Sequence, residues 1–285
     1  MAATDLIQGL FGATGRAVTR VGLGGEGILR THGRQEQARK VIERALEQGI
    51  EYFDTAPAYA GSEGYLGGVW KAMPQHRAKI FQTSKSARRS YAGAMRDLER
   101  SLATLGTDYL DLWQIHDVRE MEEVSAIGAP DGALRAFLEA RESGVVRYIG
   151  VTGHHDPEVL TRCVRDWPLD SVLLPVNPLE GVIGGFLSQT LPAAKSKGLA
   201  VVAMKVFGGG HYISPEDGLT PERYLRYALS QPVDVVIAGC ASPGEVDLLT
   251  QTVRAFQPMP AAEQEALLDL FRPHAARLAF YRGKK

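Results

Sequence analysis

Short apolar runs rich in β-branched residues recur along the chain, and most are followed by a longer segment with apolar side chains at helical spacing. The runs that predict strands cover residues 20–25, 50–55, 79–85, 109–117, 145–153, 170–177, 199–207 and 233–240. The segments that predict helices cover residues 34–49, 92–106, 132–144, 156–166, 187–197, 221–230, 243–254 and 260–272. Repeated strand–helix units indicate a parallel α/β sheet, and this number of strands predicts a closed (β/α)8 TIM barrel.

No linker is long enough to split the chain, so we expect one barrel domain over residues 1–285. Residues 11–19 predict a short N-terminal hairpin that could plug the bottom of the barrel. A C-terminal helix at 260–272, with a basic tail at 282–285, lies outside the repeated units. An open doubly wound sheet is the alternative, because the glycines at 22–27 follow a strand as in a dinucleotide loop, although a lone Gly-rich turn supports it weakly.

Composition excludes several classes of partner. Hydrophobic residues make up 45% of the chain and charged residues 23%, and the formal net charge of −1 gives no indication of nucleic acid or membrane binding. No stretch reaches the ~20 apolar residues of a membrane helix, and residues 1–10 do not resemble a secretory signal. Cys163 and Cys240 are far apart, which argues against disulfides or structural zinc and fits a cytoplasmic protein.

Polar residues occur where the apolar runs stop. In a parallel barrel the carboxyl ends of the strands meet at one rim, and catalytic groups come from several of them. The side chains placed there are Asp54, Tyr59, Lys85, His116, Asp117, Thr152, His154, His155, Asn177 and Lys205. We therefore expect these residues to converge on one site.

Asp54 and Lys85 end neighbouring strands and are expected to form a half-buried ion pair, in which each charge limits the desolvation cost of the other. This pair places an ammonium near Tyr59. A tyrosine hydroxyl has an ordinary pKa of about 10, and a nearby cation is predicted to lower the pKa of Tyr59. His116 could hold or polarise a carbonyl oxygen beside that hydroxyl, so the residues predict an electrophilic pocket for a C=O group.

Linked motifs carry a resemblance to a known family. They are "DTAPAYAGSEGYLG" at 54–67, "KIFQTSK" at 79–85, "YLDLWQIHD" at 109–117 and "YIGVTGH" at 148–154. In this order and spacing the chain resembles the aldo-keto reductases from about residue 11 to about residue 250. The resemblance implies a (β/α)8 barrel with a catalytic tetrad, formed by Asp54, Tyr59, Lys85 and His116. It also implies hydride transfer from NADPH or NADH to an aldehyde or ketone, with Tyr59 as general acid, or the reverse oxidation of an alcohol.

The resemblance further implies that the cofactor lies across the rim, where several positions depart from the usual pattern. Thr152 and Gly153 stand where the family often has Ser-Asn, and Asn177 stands near a common Gln. Met204 falls at the position of a tyrosine that stacks on the nicotinamide. The residues expected to contact the cofactor are Gly24, Thr152, Gly153, Asn177, Met204, Lys205, Phe207, Gly239, Cys240, Ser242 and Glu245.

Glu245 bears on the choice of cofactor. The family often has cations near this position, around the 2′-phosphate of NADPH, whereas this chain has Gly239 and Glu245. A carboxylate would repel a phosphate and could accept hydrogen bonds from a ribose diol. The expected cofactor is therefore NADP(H) or NAD(H), with the departure favouring NADH.

Other interpretations remain open. A cofactor-binding barrel with little turnover could act as a redox-sensing regulator, as channel β-subunits related to this family do. Lys205 could form a Schiff base. His154, His155 and Asp156 could bind a metal, but adjacent rings diverge on most backbones, so none is expected. The basic stretch at 87–90 predicts a solvated loop. The partner is expected to be a small carbonyl substrate of undetermined identity, and the chain a monomer or a homo-oligomer.

Overall fold

The computed structural model describes residues 5–283, so the predicted domain bounds at 1 and 285 and the end of the basic tail lie outside it. Parallel strands close into a barrel in which neighbours along the chain pair and the last strand pairs with the first. They are β3 (Val21–Gly27), β4 (Tyr52–Phe53), β5 (Phe81–Ser86), β6 (Leu110–Ile115), β7 (Val146–Thr152), β8 (Ser171–Pro175), β9 (Ala200–Met204) and β10 (Val235–Cys240). The predicted (β/α)8 barrel is confirmed.

A short antiparallel hairpin precedes the barrel, as predicted. It consists of β1 (Gln8–Leu10) and β2 (Ala17–Thr19), and the buried Phe11 lies in the turn between them. The centroid of the Phe11 ring is 4.9 Å from that of Phe81 and 6.1 Å from that of Tyr52. Both partners begin their strands and face the barrel interior, so the hairpin closes the bottom of the barrel.

Helices surround the barrel and connect successive strands. They are α1 (Gln35–Glu47), α2 (Ser62–Ala72), α3 (Pro74–Arg77), α4 (Tyr91–Leu105), α5 (Met121–Gly128), α6 (Ala133–Glu142), α7 (Pro157–Asp166), α8 (Pro178–Ile183), α9 (Leu191–Ser196), α10 (Pro221–Leu229), α11 (Pro243–Arg254), α12 (Ala261–Phe271) and α13 (Ala275–Leu278). The predicted C-terminal helix corresponds to α12. None of the helices within residues 5–283 has both the length and the apolar character needed to cross a membrane.

The helices differ from the prediction at several places, and the short helices α3, α8 and α13 lie outside the predicted segments. The single helix expected at 187–197 is a π-helical turn, Phe186–Thr190, followed by α9. Pro192 has no backbone N–H to donate, so a regular α-helical ladder cannot run through this segment. The eight-residue helix α5 was not predicted, because it has only Ile127 as a buried residue and so lacks an apolar stripe.

The alternation of side chains along the strands places the predicted polar site residues inside the barrel, at the carboxyl ends of the strands. Tyr52, Phe81 and Leu112 form part of the inner apolar cluster. Side chains alternate between faces along a strand, so residues two or four positions later share the inner face. Asp54, Lys85 and His116 stand at those positions in their chain segments.

Candidate active site

A buried ion pair forms the base of the site. The Lys85 ammonium lies 2.6 Å from Asp54 Oδ2 and also donates a hydrogen bond to the Thr55 carbonyl oxygen at 2.8 Å. Both charged side chains are at most 2% exposed, so the pair is fully rather than half buried. Two further groups hold the other carboxylate oxygen, Asp54 Oδ1: Thr83 Oγ1 donates at 2.8 Å and Gln114 Nε2 at 3.4 Å.

Tyr59 lies above this pair. Its hydroxyl is 3.3 Å from His116 Nε2, and the Lys85 ammonium is 4.7 Å from the centroid of its ring. A Cβ atom on Gly25 would lie 2.5 Å from the Tyr59 ring, so this position needs glycine for the ring to fit. The structure therefore brings Asp54, Tyr59, Lys85 and His116 together, as expected.

The remainder of the motif at 54–67 fixes the loop that carries Tyr59. Thr55 Oγ1 donates to Ser62 Oγ at 2.8 Å, and Ser84 Oγ donates to the buried carboxylate of Glu63 at 2.6 Å. A Cβ atom on Gly67 would lie 2.1 Å from the Thr104 carbonyl oxygen, so α2 can pack closely on α4 only with glycine there. The loop is thus anchored at its end by the first turns of α2.

The predicted lowering of the Tyr59 pKa is wrong for this structure. Burial and the negative charges of Asp54 and Glu26 raise the pKa of Tyr59 well above its ordinary value. The Asp54 carboxylate counters the effect that Lys85 alone would have. Tyr59 therefore holds its proton at neutral pH and is suited to donate it.

His116 and Lys85 are shifted toward their neutral forms. Burial and the Lys85 ammonium together lower the pKa of His116 to about 3, so the imidazole is neutral at physiological pH. Burial also lowers the pKa of Lys85, while the Asp54 carboxylate opposes that shift and favours the charged ammonium. The site thus combines a neutral imidazole, a protonated tyrosine and a buried ion pair.

The basic stretch at 87–90 is not a solvated loop as a whole, because Arg89 is tied to the site. Its guanidinium donates to the carbonyl oxygens of His116 and Asp117, each at 2.8 Å, and its Nε donates to Glu123 at 3.0 Å. The neighbouring Arg88 side chain is 67% exposed and fits the prediction. The sequence offered only one signal for Arg89, namely its position just after a strand that ends in Lys85.

Of the residues expected to hold the cofactor, Thr152 and Gly153 lie at the end of β7. Thr152 Oγ1 accepts a hydrogen bond from the backbone N–H of Asp117 at 2.8 Å. A Cβ atom on Gly153 would lie 3.0 Å from the Val118 carbonyl oxygen. Gly24 lies in the middle of β3 and Gly239 near the end of β10, where a Cβ atom on Gly239 would meet Glu26 at 2.6 Å.

Asn177 is engaged in the fold. Its amide nitrogen donates to the Lys205 carbonyl oxygen at 2.9 Å and to the Tyr281 hydroxyl at 3.0 Å, and its Oδ1 accepts from the N–H of Glu180 at 3.1 Å. The side chain is fully buried and caps the N-terminus of α8. A cofactor role for Asn177 stays a prediction, and it would compete with these bonds.

The C-terminal segment returns to the rim, which the sequence did not reveal. We call residues 280–283 the C-terminal clasp. Tyr281 donates a hydrogen bond to the buried carboxylate of Glu180 at 2.7 Å, and Arg282 forms an ion pair with the same carboxylate. Arg282 also lies over the Phe186 ring, 4.4 Å from its centroid. The clasp therefore covers the ends of β8 and β9.

Met204, the last residue of β9, and Lys205 and Phe207 just after it are partly buried. The Lys205 ammonium is 5.3 Å from the centroid of the Tyr281 ring, and its backbone has φ +53°, a region that lysine rarely adopts. Burial lowers the pKa of Lys205, against the opposing charges of Glu26 and Asp117.

The end of β10 leads directly into α11. Ser242 caps this helix by accepting from the N–H of Glu245 at 3.3 Å, and the Glu245 carboxylate accepts from the N–H of Ala241 at 2.8 Å. Glu245 thus lies at the positive end of the helix dipole. Burial raises the pKa of Cys240 to about 12, so it is a packed thiol rather than a nucleophile.

The residues considered as metal ligands do not form a cluster. His154 Nε2 lies 3.2 Å from Asp117 Oδ1, whereas the His155 ring packs near Gly283 of the clasp. Across residues 5–283, no group of three or more His, Cys, Asp or Glu side chains is arranged to hold a metal ion.

Comparisons with known proteins indicate the family and the fold. Residues 20–223 match the model described as "Aldo/keto reductase family". The chain is 26% identical over 248 residues to L-galactose dehydrogenase of Arabidopsis thaliana, covering 82% of this chain and 75% of that protein. It is 27% identical over 256 residues to D-threo-aldose 1-dehydrogenase of a Pseudomonas species, covering 78% and 74%. The holo form of the aldo-keto reductase AKR11C1 from Bacillus halodurans shares the fold, with a TM-score of 0.76, 24% identity and 98% of each chain covered.

Proposed function

Because the chain belongs to the aldo/keto reductase family, we propose that it reduces an aldehyde or ketone with NADPH or NADH, or oxidises the corresponding alcohol, with Tyr59 as general acid. One observation carries this proposal. The Tyr59 hydroxyl and His116 Nε2 lie 3.3 Å apart above the buried Lys85–Asp54 pair. A carbonyl oxygen placed between them would meet a proton donor and a polarising ring.

Tyr59 and Lys85 have different roles in proton transfer. When bound, a nicotinamide cofactor would supply the hydride for a new C–H bond at the carbonyl carbon. The Tyr59 O–H bond would break and its proton would move to the carbonyl oxygen, which leaves a phenolate on Tyr59. The Lys85 ammonium, 4.7 Å from the ring centroid, stabilises the phenolate. Oxidation of an alcohol follows the same steps in reverse.

Asp54 keeps Lys85 charged. An ammonium buried without a counter-ion would lose its proton, because desolvation disfavours the charged form. The contact of 2.6 Å with Asp54 Oδ2 opposes that loss. Asp54 thus acts through Lys85 rather than on the substrate.

The rim chemistry fits an anionic dinucleotide. Lys205 provides an ammonium there, and the N-terminal end of α11 presents the positive end of a helix dipole. Lys205, Ser242 and the glycines Gly24 and Gly239 would hold the phosphates and allow close backbone approach, and Thr152 would face the nicotinamide end. Glu245 at the same helix end disfavours an additional phosphate, which supports NADH.

A polar mouth surrounds Tyr59 and bears on the substrate. The Arg30 guanidinium lies 5.3 Å from the centroid of the Tyr59 ring and pairs with Glu26 at 2.6 Å. Asp117 and Lys205 add charge to the same region, where Asp117 interacts electrostatically with Tyr59 and Lys205 with Glu26 and Arg30. This setting favours hydroxylated carbonyl compounds. Two proteins similar to this chain, L-galactose dehydrogenase and D-threo-aldose 1-dehydrogenase, are named for substrates of that kind.

The test is turnover of Tyr59→Phe against a panel of sugars and simple aldehydes. We expect activity to fall by about 10²–10⁴-fold while cofactor still quenches protein fluorescence. Tyr91→Phe is the matched control, because that hydroxyl bonds to Glu139 away from the site. Full activity in Tyr59→Phe would refute the mechanism. Cofactor binding without turnover of any carbonyl by the wild-type protein would instead favour the redox-sensing alternative.

Cofactor choice is tested by titrating NADH and NADPH side by side. We expect tighter NADH binding by the wild-type protein and a relative gain for NADPH in Glu245→Gln. A wild-type preference for NADPH that Glu245→Gln leaves unchanged would show that this carboxylate does not face the cofactor.

A further inference from the structure

We propose that Arg89 is a positioning residue of the active site, whose guanidinium holds the turn after β6 so that the His116 imidazole meets the Tyr59 hydroxyl. The activity arm of its test rests on the proposed function, whereas a spectroscopic arm does not. Arg89 itself touches neither the Tyr59 hydroxyl nor the Lys85–Asp54 pair, so it acts through His116.

The contact is a two-pronged clamp on the backbone. Two nitrogens of the guanidinium donate to the successive carbonyl oxygens of His116 and Asp117, each at 2.8 Å. The remaining edge is used by Glu123, whose carboxylate accepts from Arg89 Nε at 3.0 Å. Only the planar fork of arginine can satisfy both carbonyl groups and a carboxylate at once.

The clamped turn has a backbone that needs support. Asp117 has φ +55°, a conformation that costs energy for a residue other than glycine and persists where its surroundings fix it. Thr152 fixes the other side: its Oγ1 accepts from the N–H of Asp117 at 2.8 Å, and its carbonyl oxygen accepts from Val118 at 2.9 Å. With Arg89 on the carbonyl groups and Thr152 on the N–H groups, the direction of the His116 side chain is set from both sides.

Arg89 is itself anchored to a different part of the barrel. Its carbonyl oxygen accepts from the N–H of Ala133 at 2.9 Å, and Ser90 forms a bridge with Gly132. Glu123, at the start of α5, also accepts from the N–H of Arg119 at 2.7 Å. The carboxylate of Glu123 in α5 therefore holds the guanidinium of Arg89, while Gly132 and Ala133, at the start of α6, hold the backbone of residues 89 and 90.

The charge of Arg89 has a second effect in the same direction. It adds to burial and to the Lys85 charge in lowering the pKa of His116. Glu123 pairs with Nε and Nη2 of the guanidinium, away from Nη1, which donates to the backbone carbonyl oxygen of His116. The clamp therefore favours a neutral ring that can orient a carbonyl oxygen without becoming a competing acid.

The experiment compares Arg89→Met and Arg89→Lys with Arg88→Met, whose side chain is exposed and lies 3.7 Å from Asp97. Cofactor dissociation constants, kcat per cofactor-binding site, the carbonyl KM and Tm are measured for each. We expect kcat/KM to fall on the order of 10²-fold in Arg89→Met, because a misplaced catalytic group costs about that much. Cofactor affinity should stay within about twofold, and Arg88→Met should match the wild-type protein.

Two readouts separate positioning from a merely structural role. Arg89→Lys should recover little of the kcat lost in Arg89→Met, since a point charge cannot bridge two carbonyl groups. By contrast, free guanidinium ion, added to Arg89→Ala at concentrations too low to unfold the protein, should restore part of kcat. The same addition should not help His116→Gln. Loss of cofactor binding and Tm in parallel with kcat, or full activity in Arg89→Met, would overturn the proposal.

The spectroscopic arm needs no turnover. The NMR signals of the His116 ring, assigned by their absence in His116→Gln, are recorded for the protein without cofactor. In Arg89→Met they should shift and broaden, and in Arg88→Met they should stay in place. If the wild-type protein reduces no carbonyl yet these shifts occur, the proposed function fails and the clamp stands; unchanged His116 signals in Arg89→Met overturn the clamp.

Discussion

Lys85 Nζ lies 2.6 Å from Asp54 Oδ2, and neither side chain is more than 2% exposed. The two residues are 31 positions apart and end adjacent barrel strands. Removing one partner from a buried pair leaves the other charge without compensation, which costs more than the pair contributes.

Lys85→Met is therefore expected to destabilise the protein by about 3–5 kcal/mol, since it leaves the Asp54 carboxylate buried and unpaired. Urea unfolding followed by fluorescence measures this loss. Arg39→Met, which breaks the surface ion pairs with Glu36 and Glu43, is the control and should change stability little. A loss in Lys85→Met no larger than in the control would contradict the pairing.

The raised pKa of Tyr59 predicts the pH dependence of carbonyl reduction. The reaction needs the protonated hydroxyl, so it proceeds below the pKa of Tyr59 and is lost as the pH rises through that value. Because burial and nearby carboxylates raise this pKa above its ordinary value, no loss of kcat/KM assigned to Tyr59 is expected up to about pH 9. A pH–rate profile checks this, and an alkaline limb near neutrality would show that the cation dominates instead.

The lowered pKa of His116 predicts acid sensitivity of the fold. The folded value is about 3 and the ordinary value 6.5, so the unfolded chain binds a proton more readily. Stability from this group is present above about pH 6.5 and is lost as the pH falls toward about 3. The urea midpoint should fall between about pH 7.5 and about pH 5 in the wild-type protein and fall less in His116→Gln. Equal falls in both proteins would assign the sensitivity to other groups, including His154, whose pKa burial also lowers.

The C-terminal clasp should open when Arg282 is replaced. Arg282→Met leaves the Glu180 carboxylate buried with Tyr281 as its one remaining side-chain donor among residues 5–283, and the cost is expected to release residues 280–283 rather than unfold the barrel. Hydrogen exchange should quicken at Gly283 and in the loop of His155, which it contacts at 3.0 Å. Glu180→Leu combined with Arg282→Met removes both charges and should restore part of the protection. Unchanged exchange in Arg282→Met would contradict the clasp.

The sequence by itself determined the barrel and which polar residues meet at its rim. Apolar runs alternating with helical stripes specify repeated strand–helix units, and parallel strands place their carboxyl ends at one rim. Side-chain alternation then decides which polar residues point inward at that rim. These are local regularities, so the hairpin, the strands and the convergence of Asp54, Tyr59, Lys85 and His116 could be read from the chain.

Tertiary structure alone decided the electrostatics and the supports of the site. The Tyr59 pKa is raised by burial and by the charges of Asp54 and Glu26, which approach from separate chain segments, and no spacing in the sequence reveals these effects. The Arg89 clamp joins residues 27 and 28 positions apart, and the bond between Asn177 and Tyr281 spans 104. Contacts of this kind depend on where separate elements pack against one another, and burial, which sets the strength of every charge, exists only once they have packed.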